Sequence, residues 1–518
     1  MTKAITVLRI SFLTFLLFSV LTSAQTEDQF VPPVLPEGLN LSNQMKYSFD
    51  NQAKREIFEN WFNLDYSYGI FNAGIRFESF QPNDPNPAVA RGRKRDSGIN
   101  FKYIRAEIGD IHANAEFTVG NYYALFGRGM LLKIYEDRNL RVDNNLTGIK
   151  LNIKYEDLYI SVLSGMPENM DLTRSDVLHA LDFEYRMKSI ANVGLSLVSN
   201  RPDADGVATT TLTSARVHHI NDNFDVYAEY GLKFNEDIKQ NKFKGEENFI
   251  GKAFYGNVNF YVSDFSLVTE YKYYDNFQFA SFDGSVIYNT PPALRKDYTY
   301  LLLNRHPSPL NQANEQGFYG ELSYNFDDNT GISLNAGETR TLPVTSLYQR
   351  SMNTKNDIRV QFREAFLQAN HKFGESFDLF AGFGYNEELD KNTKNITPVA
   401  ELKYYFDDIN TLKFVLEHQS TTDRTTQEKY FTQAFTLEYL RSPLWSVALV
   451  SELLTREPMP GHVVRKVWGL LQFGYRLAEH TDMSLLIGSR QAGNICIGGV
   501  CRYEPEFRGI EIKMMSRL

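Results

Sequence analysis

Along most of this chain, apolar and polar side chains alternate with a period of two. The run Ile149-Lys-Leu-Asn-Ile-Lys-Tyr155 puts Ile149, Leu151, Ile153 and Tyr155 on one side and Lys150, Asn152 and Lys154 on the other. Successive side chains of a strand point to opposite faces, so each such segment has one apolar and one charged face. The pattern returns in 318–326, where Phe318, Leu322, Tyr324 and Phe326 oppose Tyr319, Glu321, Ser323 and Asn325. It returns again in Leu402, Tyr404 and Phe406 against Glu401 and Lys403, and in Leu412, Phe414 and Leu416 against Lys413 and Glu417. A chain written this way is all-β and antiparallel, either a soluble sandwich or a barrel.

The connections separate the two. Tight polar turns stand at Glu156-Asp157, Ser263-Asp264, 327–330 and Asp407-Asp408. Between them fall longer links, among them 83–98, 128–143, 168–176, 201–209, 237–249 and 279–314. Short turns at one end and long loops at the other are the layout of an outer-membrane barrel, and a sandwich has no reason to keep that order. The strands between 60 and 518 come to an odd number, and segment 41–51 completes an even set, as bacterial single-chain barrels require. The expectation is one large antiparallel transmembrane β-barrel of about 24 strands, within about 22–26, with both termini at the short-turn end.

Composition agrees with this. A mean hydropathy of −0.37 and 42% hydrophobic residues look soluble, yet half of each barrel strand faces a polar lumen. The 30 Tyr and 38 Phe suit aromatic girdles at two membrane interfaces. A net charge of −9 argues against nucleic acid as a partner. Residues 1–24 carry Lys3 and Arg9, an uncharged run from Ile10 to Leu21, and small residues ending at Ala24. That order predicts a cleaved secretory signal peptide, a short periplasmic segment over 25–40 and the barrel over 41–518. Export implies an oxidising compartment, so Cys496 and Cys501 are expected to form a disulfide. The final strand, with Ile510, Ile512 and Met514 facing outward, resembles the signal read by the outer-membrane assembly machinery. The expected partners are that machinery, outer-membrane lipid and lipopolysaccharide.

Sixteen residues, 25–40, are too few for a folded plug domain. A barrel of this width must then be narrowed by its loops. The loop 128–143 follows Gly127 and Gly129, which permit a sharp turn, and is the third outer loop. Arg128, Arg138 and Arg141 beside Glu136 and Asp137 form a candidate constriction with a transverse field. The loop 279–314 is the longest. Arg295, Tyr298, Tyr300, Arg305 and His306 are its candidate ligand contacts, although a self-packed lid is the simpler reading. Lys150, Lys154, Glu321, Glu401, Lys403, Lys413 and Glu417 are candidate lumen-lining residues.

The run Gly120-Asn-Tyr-Tyr-Ala-Leu-Phe-Gly-Arg-Gly129, with Tyr135-Glu-Asp137, Asp143-Asn-Asn145 and Leu302-Leu-Asn-Arg-His-Pro307, resembles an uncharacterised family of large outer-membrane barrels from Bacteroidota. That resemblance implies fold, outer-membrane location and bacterial group, and supplies no site residues. No catalytic, cofactor or metal-binding motif stands out. His218-His219 reads as a strand end, and 201–206 lacks the later Glu of a calcium loop. The leading expectation is a porin-like channel for small hydrophilic solutes. The competing one is a structural or secretion-associated barrel whose loops dock a partner.

Overall fold

The computed structural model describes residues 36–83, 96–169, 173–188, 190–204, 207–235, 249–294, 296, 298–306, 310–343, 345–348, 359–388, 392–456, 465–497 and 500–517. Twenty-four strands form one antiparallel sheet in which sequence neighbours pair around a ring. The ring closes because the first strand, Leu39–Asp50, pairs both with the second, Arg55–Tyr68, and with the last, Phe507–Arg517. Closure leaves no open sheet edge, which is the condition for strands to sit in lipid.

The faces follow the alternation. Ile149, Phe318, Leu322, Leu402, Leu416 and Ile510 are exposed on the outer surface, a face that suits an apolar surrounding such as lipid. Tyr324, Phe326, Phe377, Tyr404, Phe406, Tyr439 and Trp445 gather near the short-turn end, where Tyr324 touches Phe326 and the rings from Phe377 to Trp445 form a chain. Centroids are 5.0 Å apart for Tyr324 and Phe326, 4.7 Å for Phe377 and Tyr404, 4.7 Å for Tyr404 and Phe406, and 5.3 Å for Tyr439 and Trp445. Aromatic rings beside an apolar band are the pattern of an outer-membrane barrel at its interface.

The short turns are built by side chains that take over backbone donors. Asp110 accepts the N–H groups of His112 (2.8 Å) and Ala113 (3.0 Å). Asp327 does the same for Asn329 and Thr330, both at 2.7 Å, and Asp407 for Ile409 and Asn410 at 3.0 and 2.8 Å. These Asx turns reverse the chain within a few residues.

The strict short-then-long order of connections holds less well than the sequence suggested. The second strand begins at Arg55, so the first long-end link is only 51–54. Asp50 closes it by accepting the N–H groups of Gln52 (2.9 Å) and Ala53 (3.0 Å) and pairing with Arg55 at 3.2 Å. The third such link runs over 123–145 and the seventh over 276–313. Both turn inward, and they position everything that follows.

Candidate functional site

The strand Ala113–Tyr122 ends on a backbone reversal that glycine makes possible. Gly127 and Gly129 have φ of 54° and 84°, in the left-handed region that other residues enter at a cost. A Cβ on Gly129 would stand 2.9 Å from the Thr290 carbonyl oxygen. The chain therefore dives into the barrel, where Phe126, Met130, Leu131, Leu132 and Ile134 are fully or almost fully buried. They form one apolar cluster with wall residues such as Leu163, Leu178, Val198, Leu212 and Tyr255. Burying such side chains contributes about 1.5–3 kcal/mol each, so this loop is part of a core.

The loop reaches two walls. The Arg128 guanidinium lies over the rings of Tyr227 (4.2 Å) and Tyr255 (5.6 Å), on strands Phe224–Asn235 and Phe249–Val262. About a third of the ring away, Glu136 pairs with Arg76 of strand Phe71–Asn83 at 2.9 Å. Arg138 lies 4.6 Å over Trp61 and donates to Gln44 at 2.5 Å. Arg141 pairs with Glu59 at 3.1 Å. Asp137 caps the loop's last turn by accepting the Leu140 N–H at 2.9 Å. Gln44, Trp61 and Arg76 occupy the middle of their strands, so the loop sits near mid-depth.

The seventh long-end loop packs on the third through main-chain bonds. Lys133 N–H donates to the Tyr288 carbonyl at 2.7 Å, and Thr290 N–H to that of Gly129 at 3.0 Å. The fully buried Asn289 donates to the carbonyls of Met130 and Phe277, both at 2.9 Å. Asp176, also fully buried, accepts from the Phe282 N–H (2.8 Å) and the Tyr288 hydroxyl (3.2 Å). Burial, and then the Asp176 charge, push the Tyr288 phenol far above its usual value, which keeps it a donor.

From there the loop crosses to a succession of wall carboxylates. Lys296 pairs with Glu321 at 2.7 Å. The Tyr298 hydroxyl donates to Asn335 (3.1 Å) and Glu364 (3.3 Å), and burial and the Glu364 charge push its phenol far up. Tyr300 stacks on Phe380 at 5.2 Å. The N–H groups of Leu301 and Leu302 donate to the two oxygens of Glu417 at 2.8 and 2.7 Å. Arg305 pairs with Glu452 and donates to Gln491. His306 bonds to Glu388 at 2.7 Å and to Gln419 at 2.8 Å.

The residues singled out from sequence thus take distinct places. Arg128, Glu136, Asp137, Arg138 and Arg141 all lie in the inward-folded third loop. Tyr298, Tyr300, Arg305 and His306 face the barrel wall and anchor the seventh loop to it. Arg295 lies outside the described residues. Glu321 and Glu417 are receivers of that loop. Lys150 reaches the Tyr123 carbonyl at 3.2 Å, and Lys154 stands 5.8 Å over the Tyr159 ring. Glu401 pairs with Lys403 at 3.1 Å and Lys413 at 3.8 Å. The pairing of Cys496 with Cys501 rests on side chains outside the described residues. Their backbones face each other in a hairpin, Gly493–Ile497 with Val500–Glu504, that packs against Leu303–Arg305.

Sequence reading missed Asp176, Asn289, Arg76, Trp61 and Gln44. Arg76, between Ile75 and Phe77, carried a signal, since alternation turns it inward. Nothing local marked Asp176 or Asn289 as joints between segments, and the bonds from Phe282 to Asp176 and from Asn289 to Met130 span more than a hundred residues.

Next to Glu136 and Arg138 a cavity of about 290 Å³ remains, lined also by Gln44, Asn63, Met515 and Arg517. With a closed large barrel and loops folded into it on the page, comparison with known proteins is informative. A family model matches residues 1–518. The chain belongs to a family of unknown function, DUF6029. No curated protein sequence matches it. Among solved structures, it is similar to an E. coli P pilus tip assembly intermediate of PapC, PapD, PapK and PapG, with 10% identity and a TM-score of 0.51 over 95% of this chain and 63% of that one. The P pilus usher PapC translocation pore aligns at 10% identity and a TM-score of 0.48, over 92% of this chain and 99% of that one. The copper transporter OprC aligns at 9% and 0.44, over 93% and 80%. At these identities the likeness is one of fold: a large barrel of the outer-membrane kind.

Glu417 gives a direct test of the loop anchor. Glu417→Ala leaves the buried N–H of Leu302 and that of Leu301 without an acceptor, at about 1–3 kcal/mol each. Amide hydrogen exchange at Leu301 and Leu302 should accelerate by about tenfold or more, and Glu417→Gln, which keeps one acceptor, should fall between. Unchanged exchange in Glu417→Ala would mean the loop is held elsewhere.

Proposed function

We propose that this protein is a porin-like outer-membrane channel for small hydrophilic solutes, its lumen narrowed by two inward-folded loops. One observation carries the reading. The third long-end loop crosses the barrel near mid-depth and borders a polar cavity where Arg138 and Arg517 face Glu136. Charges of both signs across a narrow passage orient dipolar solutes and disfavour apolar ones. The inward side chains of the wall are polar, as such a path requires, and the outer surface suits lipid and lipopolysaccharide. Residues 1–24 serve export and are removed, and assembly uses the general machinery for outer-membrane barrels. The long loops then face outside and the short turns face the periplasm.

Purified protein in a planar lipid bilayer should show discrete single-channel steps. No conductance at any voltage would overturn the reading. It would favour a structural or secretion-associated barrel, for which the dense anchoring of the seventh loop to Glu388, Glu417 and Glu452 would be a seal that a docking partner releases.

The Cys496–Cys501 disulfide belongs to the same proposal, since it would stiffen the hairpin resting on Leu303–Arg305. Isolated outer membranes should yield no thiol at either position to an alkylating reagent until reductant is added. Alkylation of both without reductant refutes the bond.

A further inference from the structure

The residual cavity beside the third loop presents cationic hydrogen-bond donors that the protein leaves partly unused. Arg138 spends Nε on Glu136 (3.2 Å) and Nη1 on Gln44, while its Nη2 makes no hydrogen bond among the described residues. Gln44 uses its oxygen to accept from Arg138, and its Nε2 likewise has no partner among the described residues. Arg517 has no carboxylate within pairing distance among the described residues; its Nη2 stands 3.9 Å from the Met515 sulfur. Two of the acceptors are engaged in part. Glu136 takes both Arg76 (2.9 Å) and Arg138, and the Asn63 oxygen takes Arg76 at 2.6 Å.

Charge points the same way. Arg76 has Glu136, Glu78 (3.4 Å) and Asp143 around it, and Arg138 pairs with Glu136. Arg517 is left without such a partner among the described residues. The Arg138 guanidinium is held over the Trp61 ring at 4.6 Å, so its free edge is preorganised. A volume of about 290 Å³ is at the lower end for small-molecule sites, about 300–1,000 Å³.

We propose that this cavity binds a small hydrophilic carboxylate, with its charged end on Arg517 and Arg138 and its oxygens accepting from Gln44. Arginine favours carboxylate because its planar donors match two oxygens at once. A neutral polyol brings no charge to meet that of Arg517. The inference names a solute class for the channel proposed above, and it rests on that reading for its role in transport.

Trp61 supplies a readout that does not require conduction. In the full chain carrying Trp445→Phe and Trp468→Phe, Trp61 is the remaining tryptophan. Gluconate added to this protein in detergent should change its fluorescence saturably, and sorbitol at equal concentration should not. Arg517→Gln should weaken gluconate binding by about tenfold or more, as loss of a charged hydrogen bond does, and Arg517→Lys, which keeps the charge but not the paired donors, should fall between. Gluconate indistinguishable from sorbitol, or unaffected by Arg517→Gln, overturns the inference. Binding without any bilayer conductance would uphold the subsite and remove the channel, whereas conductance without binding would do the reverse.

Discussion

Deleting residues 283–312 should raise single-channel conductance several-fold and shift the pore towards cations. The deletion is compatible with the fold because Asp275 and Asn314 are register partners on adjacent strands, and shortening a loop between paired strand ends changes closure entropy only slowly. What it removes is the material spanning the lumen from Glu321 to Glu452. Glu321, Glu364, Glu388, Glu417 and Glu452 lose the loop donors that now engage them. A wider path lined by freed carboxylates concentrates cations, as acidic rings do in cation channels. Bilayer recordings in a salt gradient read both quantities, conductance and reversal potential. An unchanged conductance would place this loop outside the pore path.

Lys272→Met should destabilise the barrel by about 3–5 kcal/mol, the usual result of stripping one partner from a buried ion pair. Lys272 and Glu315 meet at 2.7 Å with side chains 2% and 0% exposed. They lie on strands Phe265–Asp275 and Asn314–Asn325 at the foot of the seventh loop. The lone Glu315 carboxylate would remain enclosed by that loop with no cation to compensate it. The double variant Lys272→Met/Glu315→Leu removes both charges and should recover most of the loss, because an apolar pair of similar volume is often as stable as the ion pair. Urea unfolding in lipid vesicles, or the temperature at which the folded band disappears on unheated gels, measures the difference. A single variant as stable as the parent would show that water already reaches Glu315.

The barrel was legible in the sequence because its rule is local. Ile149 against Lys150, or Phe318 against Tyr319, needs only the two-residue repeat of a strand to assign a side. Turn chemistry is local as well, and Asp327 and Asp407 mark their reversals by bonding to backbone two and three residues on. The count near 24 followed from adding such segments and requiring an even total. One departure was local too. The second strand starts at Arg55 because Asp50 and Arg55 close a four-residue link, and the mixed sequence around Glu56 and Glu59 hid the alternation.

The contents of the lumen were legible only in outline. Gly127 and Gly129 signalled a sharp turn, and the apolar stretch Tyr298–Leu303 signalled packing. Neither said against what. Tyr298, Tyr300, Arg305 and His306 had the chemistry of ligand contacts, yet in the fold that chemistry is spent on Glu364, Phe380, Glu452 and Glu388. The Glu388 and Glu417 partners lie 82 and 116 residues beyond their loop donors. By itself, then, the sequence determined an antiparallel barrel, its approximate size and the end at which its long loops lie, because neighbouring residues decide which side of a strand faces outward. Tertiary structure alone decided that two loops meet each other inside the lumen and leave a donor-lined cavity at Arg138 and Arg517. Closing the ring brings strands half a circumference apart to face one another across the same space, and no short-range pattern encodes that distance.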